Sequence, residues 1–126
     1  MSYSILLVDD SATTRAMVKR TIRMTDLSIA QFHEAGDGMA AIEVLGTIQV
    51  DLVLADLNMP RMDGFAMIRS IRADQRLRHV PIIVLSAAPS AEEFAKLERV
   101  NGFIGKPFTP EAIRQAITQA LEVKHV

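Results

Sequence analysis

Hydrophobic residues are concentrated in five short runs, separated by longer segments in which apolar and polar residues recur with helical spacing. This alternation predicts a doubly wound α/β fold, with a five-stranded parallel sheet covered by helices on both faces. The first, third and fourth runs are nearly all Ile, Leu and Val, as strands buried on both faces require. The second and fifth runs have a weaker apolar character and fit edge strands. The runs are Ile5–Val8, Ala30–Ala35, Asp51–Ala55, Pro81–Leu85 and Gly102–Gly105.

Most of the segments between the runs begin with a residue that commonly caps a helix. We expect helices from Ser11 to about Met24, from Asp37 to about Leu45 and from Asp63 to about Asp74. A further helix is indicated by the Ser-x-x-Glu capping box of Ser90 and Glu93. Thr109 followed by Pro110 starts the last one, with proline at the first helical position.

Composition narrows the class of protein without identifying it. The 126 residues fit one domain, and we expect a single domain over 1–126 with no effector domain attached. A net charge of −1 gives no indication of a nucleic-acid or membrane partner, and no apolar run reaches the ~20 residues of a membrane helix. The absence of cysteine excludes disulfides and thiol chemistry. We expect a cytoplasmic protein.

Polar side chains follow the predicted strands at the points where these strands end. The first strand leads into Asp9 and Asp10, the third into Asp56, the fourth into Ser86 and the fifth into Lys106. In open parallel sheets, ligands bind beyond the carboxyl ends of the strands. We therefore expect three acids, one hydroxyl and one ammonium group at one edge of the sheet.

Such a cluster of acids requires a neutralising partner. Two carboxylates about 4 Å apart repel each other by roughly 4 kcal/mol at an effective dielectric constant near 20. Either one of them is protonated or a cation binds, and with oxygen ligands this cation is Mg²⁺, or Mn²⁺ in its place. Lys106 and Ser86 would suit the oxygens of a phosphoryl group, which Asp56 would accept as nucleophile.

These residues resemble those of response-regulator receiver domains of the single-domain, CheY-like kind. The matching stretches span the chain in order: Leu7-Val8-Asp9-Asp10-Ser11, Asp56-Leu57-Asn58-Met59-Pro60-Arg61-Met62-Asp63-Gly64, Leu85-Ser86-Ala87 and Lys106-Pro107-Phe108. The resemblance implies a flavodoxin-like sheet of strand order 2-1-3-4-5. It also implies a phospho-accepting switch of a two-component system rather than an enzyme acting on other substrates. A histidine kinase or a histidine phosphotransfer protein would phosphorylate it.

The resemblance assigns a role to each residue at this edge. Asp56 is the implied phosphorylation site, and Asp10 and Asp56 are the implied direct Mg²⁺ ligands. The backbone carbonyl of Asn58 completes this set, and Asp9 assists through water. Lys106 would contact the phosphoryl group.

A second group of residues is implied in the switch. Ser86 would hydrogen-bond the phosphoryl group and move toward it, and the aromatic ring of Phe103 would turn inward. Partners would then bind a surface made of the fourth helix, fifth strand and fifth helix. Ser86 replaces the commoner threonine and Phe103 the tyrosine of many relatives, while Ala88 leaves the lifetime of the phosphorylated state open.

Other interpretations remain at this point. A small Mg²⁺-dependent phosphatase of the haloacid-dehalogenase kind would use the same chemistry, but it needs an acid where Asn58 stands. Chemotaxis, a phosphorelay and control of a separate protein are all compatible with the sequence. Arg15, Lys19 and Arg23 form a basic stripe on the first helix, which we interpret as a solvated face or as a docking surface for an acidic kinase domain.

Overall fold

The computed structural model describes residues 2–56, 64–87 and 100–124 of the chain. The strands are β1 (Tyr3–Val8), β2 (Ile29–Ala35), β3 (Leu52–Asp56), β4 (Ile82–Ser86) and β5 (Gly102–Gly105). The helices are α1 (Ala12–Arg23), α2 (Gly38–Thr47), α3 (Gly64–Ala73) and the C-terminal helix (Pro110–Lys124). From β1 to β4, and again from β5 to the last helix, strands and helices alternate as the hydrophobic pattern predicted, and the predicted fourth helix lies outside the described residues.

All neighbouring strands are parallel, and their order is β2-β1-β3-β4-β5. The predicted fold class and the implied strand order are therefore confirmed. The two weakest runs of the sequence, β2 and β5, are the edge strands of the sheet, as expected. β1, β3 and β4 lie in the centre, where the side chains of both faces are buried.

Two apolar layers cover the sheet, and alternate residues of each strand supply them. In β1, Leu6 and Val8 pack into the layer that contains residues of α2 and α3. Ile5 and Leu7 point the other way, into the layer with α1 and the C-terminal helix. Burial of both faces explains why these strands read as continuous apolar runs.

Three of the predicted caps are present in the described residues. The side chain of Ser11 accepts a hydrogen bond from the N–H of Thr14 at 3.2 Å, and Asp37 accepts from that of Ala40 at 2.8 Å. The hydroxyl of Thr109 likewise accepts from an N–H in the first turn of the C-terminal helix, at 3.1 Å. The predicted Asp63 cap and the Ser90–Glu93 capping box lie outside the described residues.

A polar network joins α3 to the amino-terminal ends of β4 and β5. The guanidinium of Arg72 donates to the carbonyl oxygens of Arg78 and Val80, at 3.0 and 2.8 Å, and to the side-chain oxygen of Asn101 at 3.2 Å. The same Asn101 oxygen accepts from the N–H of Ile82 at 2.9 Å. Burial lowers the pKa of Arg72. This network fixes the edge of the sheet opposite to the cluster of acids.

Candidate functional site

Strand register brings two of the predicted acids together. Val8 of β1 pairs with Ala55 of β3. The residues that follow them, Asp9 and Asp56, therefore lie side by side at the carboxyl edge. Both are buried, with 6% and 7% of their surface exposed. The Oδ1 atom of Asp9 accepts a hydrogen bond from the N–H of Ser11 at 2.9 Å.

The predicted hydroxyl and ammonium groups come from the next two strands. Ser86, only 1% exposed, ends β4 opposite Gly105 of β5. Its carbonyl accepts from the N–H of Lys106 at 3.1 Å, which extends the sheet by one residue. The Lys106 ammonium lies 2.5 Å from Oδ2 of Asp56. The peptide bond between Lys106 and Pro107 is cis.

Burial and the neighbouring Asp56 both shift the pKa of Asp9. Burial is the main cause that raises the pKa of the Asp9 carboxyl, to about 6. The N–H of Ser11 opposes this shift, while hydrogen bonding with Asp56 and its negative charge add to it. The charge of Lys106 lowers the Asp9 pKa only in part. The pair thus still favours an additional positive charge.

The chemistry of these donors fits Mg²⁺. Asp9 and Asp56 supply carboxylate oxygens, and magnesium is commonly held by one or two carboxylates together with waters and phosphate oxygens. Asp10 is exposed beside the pair, and Asn58 lies outside the described residues. Over the ranges that the structure describes, no three acidic, His or Cys side chains form a metal-binding group. The described residues by themselves therefore offer only part of a coordination shell.

Phe103, the implied switch residue, lies beside the site on the edge strand. It pairs with Val84 in register and packs against the apolar layer that contains α2 and α3. Its ring is partly buried, and a Cβ atom built at Gly105 would lie 4.0 Å from it. Its role in switching stays a prediction, as do the roles assigned to Ser86 and Ala88, the latter outside the described residues.

The basic stripe of α1 has partners that the sequence did not indicate. Arg15 and Lys19 both bind Glu34 of β2, with N–O distances of 2.8 and 2.7 Å, and Arg23 lies over the ring of Phe32 at 5.3 Å. Arg15 also donates to the carbonyl oxygen of Asp9. A four-residue spacing revealed the stripe, but nothing local pointed to a partner on the edge strand.

The parallel α/β fold and the polar residues at the carboxyl ends of its strands are typical of one class of protein, and comparison with known sequences identifies that class. The sequence model of the response regulator receiver domain matches residues 5–118. The chain belongs to this family. Receiver domains are signalling switches of two-component systems and generally depend on Mg²⁺.

Individual relatives agree with this assignment. The chain is 35% identical over 120 residues to the chemotaxis protein CheY of Pseudomonas aeruginosa, covering 94% of this chain and 95% of that protein. It is 37% identical over 123 residues to CheY-3 of Vibrio cholerae, covering 96% and 93%. The solved structure of CheY4 from Vibrio cholerae superposes with a TM-score of 0.81 at 28% identity, covering 96% and 100%. None of these comparisons supports the phosphatase alternative.

No helix in the described part of the chain has the length and apolar character needed to cross a membrane.

Proposed function

We propose that this receiver domain is switched by phosphorylation of Asp56. The observation that carries the proposal is the contact of 2.5 Å between Lys106 Nζ and Asp56 Oδ2 beside the buried carboxyl of Asp9. A carboxylate so placed has an ammonium group on one side and an acid that favours cation binding on the other. Both features assist transfer of a negatively charged group to Asp56.

The transfer step requires little of the protein beyond placement and charge. An Asp56 oxygen attacks the phosphorus atom, and the bond from phosphorus to the donor's histidine nitrogen, or to the oxygen of a small donor, breaks. The departing nitrogen or oxygen keeps the electron pair of that bond. Lys106 contacts a phosphoryl oxygen after the transfer, in place of its contact with the free Asp56 carboxylate.

Residues Asp9, Asp10 and Asp56, with the backbone carbonyl of Asn58, would hold Mg²⁺ in this proposal. The ion supplies positive charge that offsets the repulsion between the carboxylates and the incoming phosphoryl group. The raised pKa of Asp9, caused first by burial and then by Asp56, supports this assignment, because a cation beside these carboxyls would favour their charged forms.

The change that partners would detect begins with residues on β4 and β5. Ser86 would move toward the phosphoryl group, and Phe103 would turn toward the space that it leaves. Partners would bind the surface formed by the predicted fourth helix, β5 and the C-terminal helix. Residues 1–126 act here as one receiver domain in the cytoplasm, phosphorylated by a histidine kinase or phosphotransfer protein. The names of the CheY relatives favour a chemotaxis pathway.

Intact-mass measurement after incubation with acetyl phosphate and Mg²⁺ tests the proposal. We expect one phosphoryl adduct on the native protein and none on Asp56→Asn. Asp51→Asn is a matched control, because Asp51 lies at the other end of β3 and binds the N–H of Ser4 at 2.9 Å. The Asp51→Asn variant should accept one phosphoryl group, as the native protein does. A native protein that gains no adduct would contradict the proposal, and sustained hydrolysis of varied phosphomonoesters would favour the phosphatase.

A further inference from the structure

Arg15 occupies a position between the ends of β1 and β2. Its side chain is only 17% exposed, and its Nε atom donates to Glu34 Oε1 at 2.8 Å. One of its terminal nitrogens donates to the carbonyl oxygen of Asp9. A Cβ atom built at Gly36 would lie 3.9 Å from that nitrogen, so the guanidinium also lies against the turn that follows β2.

Every polar group of Asp9 that can orient the backbone has a partner in this arrangement. Its N–H donates to the carbonyl of Ala35 at 3.1 Å, and its Oδ1 atom accepts from the N–H of Ser11 at 2.9 Å. Arg15 takes the remaining group, the carbonyl, which belongs to the peptide unit that leads to Asp10. The direction in which the Asp10 side chain leaves the backbone depends on this peptide unit.

Glu34 holds the guanidinium in place for this contact. Hydrogen bonds from Lys19 and then Arg15 lower the pKa of the Glu34 carboxyl, so it stays charged at neutral pH. A charged donor that is anchored by a carboxylate makes a stronger and better oriented hydrogen bond than a mobile one. Lys19 shares the anchor at 2.7 Å, and its ammonium is already engaged there.

We propose that Arg15, anchored by Glu34, is a positioning residue that fixes the Asp9–Asp10 peptide unit and so places both carboxylates for Mg²⁺ binding. The inference rests on the proposed function, because it assumes that these acids bind the ion. Arg15 acts through the backbone rather than on the reacting atoms.

Simple electrostatics and positioning predict opposite signs when Arg15 is replaced. Removal of a positive charge near a cation site should strengthen Mg²⁺ binding if charge alone matters. Loss of the orienting hydrogen bond should weaken it, by about tenfold if it resembles other contacts that orient metal ligands. The sign of the change therefore separates the two explanations.

Calorimetric Mg²⁺ titration of the native protein, Arg15→Gln and Lys19→Gln provides the test. Both variants remove one partner of Glu34 and one positive charge, but only Arg15→Gln removes the contact with Asp9. We expect about tenfold weaker binding in Arg15→Gln and less than about twofold change in Lys19→Gln. Unchanged or tighter binding in Arg15→Gln, or equal losses in both variants, would overturn the inference.

Amide hydrogen exchange without Mg²⁺ gives a second measurement that does not depend on activity. The N–H groups of Asp9 and Ser11 should exchange faster in Arg15→Gln than in Lys19→Gln. Arg15→Lys retains the charge but offers one point donor in place of a fork. It should also bind Mg²⁺ several-fold more weakly, and it decides the question if Arg15→Gln does not fold. Native-like affinity in Arg15→Lys would contradict the inference.

Failure of the proposed function would look different. If the native protein neither bound Mg²⁺ nor accepted a phosphoryl group at Asp56, the proposed function would fail and the inference with it. If the native protein did both and only the expected difference between the variants were missing, the inference alone would be wrong.

Discussion

At the amino-terminal edge of the sheet, the guanidinium of Arg72 is surrounded by oxygen acceptors, whereas at the carboxyl edge the acids Asp9 and Asp56 lie side by side with Lys106 next to them. Arg72 bonds to carbonyl and amide oxygens that the fold holds in fixed positions. The acid pair contains like charges, and the pKa of Asp9 is raised as a result of burial and of Asp56.

The difference shows what a charged group contributes at each edge. A charge that donates to several fixed oxygen acceptors joins elements and stabilises them. Two buried carboxylates side by side repel each other, and a bound cation would relieve that repulsion. The first edge is therefore structural, and the second is suited to binding.

The largest expected effect concerns the ammonium at the carboxyl edge. Lys106→Met removes the charge beside Asp56, so the initial rate of adduct formation with acetyl phosphate should fall on the order of 10²-fold, as for other lost electrostatic contacts to a reacting group. Time-resolved intact-mass measurement gives the rate. Lys19→Met is the control, because its ammonium also binds a carboxylate, at 2.7 Å, but that of Glu34 and not that of Asp56. A rate within twofold of the native value would contradict the prediction.

The opposite edge should respond in stability and not in phosphorylation. Arg72→Ala leaves the carbonyls of Arg78 and Val80 and the oxygen of Asn101 without this donor, and we expect the free energy of unfolding to fall by about 2–4 kcal/mol. Urea unfolding measures it. Arg76→Ala should change it by less than about 0.5 kcal/mol, because that side chain is 76% exposed and 3.9 Å from Asp74. Equal losses in the two variants would be inconsistent with a network at Arg72.

The smallest expected effect is a substitution that stabilises the protein, whereas most substitutions destabilise it. The pKa of Asp9 is about 6 in the folded protein and ordinarily 3.8, so between these values the folded state holds a proton that the unfolded state releases. Without Mg²⁺, stability should therefore fall as pH rises through this window. Asp9→Asn should be more stable than the native protein at pH values above about 6, by about 1–3 kcal/mol.

Urea unfolding in EDTA, from about pH 4, near the ordinary pKa of an aspartate, to about pH 7.5, above the raised value, checks this expectation. The gap between the two proteins should close at the acid end. Asp37→Asn, at an exposed helix cap, controls for loss of a carboxylate in general. Parallel curves of stability against pH for Asp9→Asn and the native protein would show that folding does not raise the pKa of Asp9.

Much of the fold was predictable because its signals are local. The apolar runs of β1, β3 and β4 predicted strands whose ends agree with the structure to within two residues. Ser11, Asp37 and Thr109 marked helix starts through side-chain bonds that span only three residues. The meeting of Asp9 with Asp56 was also predictable, because parallel strands end at one edge.

Contacts between distant residues were not predictable in the same way. The bond between Arg72 and Asn101 spans 29 positions, and that between Arg15 and Glu34 spans 19. No periodicity in the sequence relates such residues, since their distance depends on how helices pack on the sheet. For the same reason the sequence suggested an anion partner for Lys106 and did not anticipate its contact with Asp56.

The register of β1 and β3 has a consequence for how such a protein can change over time. Each candidate functional side chain at the carboxyl edge lies directly after the last apolar residue of its strand. Asp9 follows Val8 of β1, and Asp56 follows Ala55 as the last residue of β3. Substitutions at these positions that keep the size of the side chain alter chemistry with little disturbance of packing, and substitutions one or two residues earlier do the reverse. A lineage could therefore exchange metal preference or phosphoryl lifetime while keeping its hydrophobic interior, and an engineer could graft the same edge onto another parallel sheet.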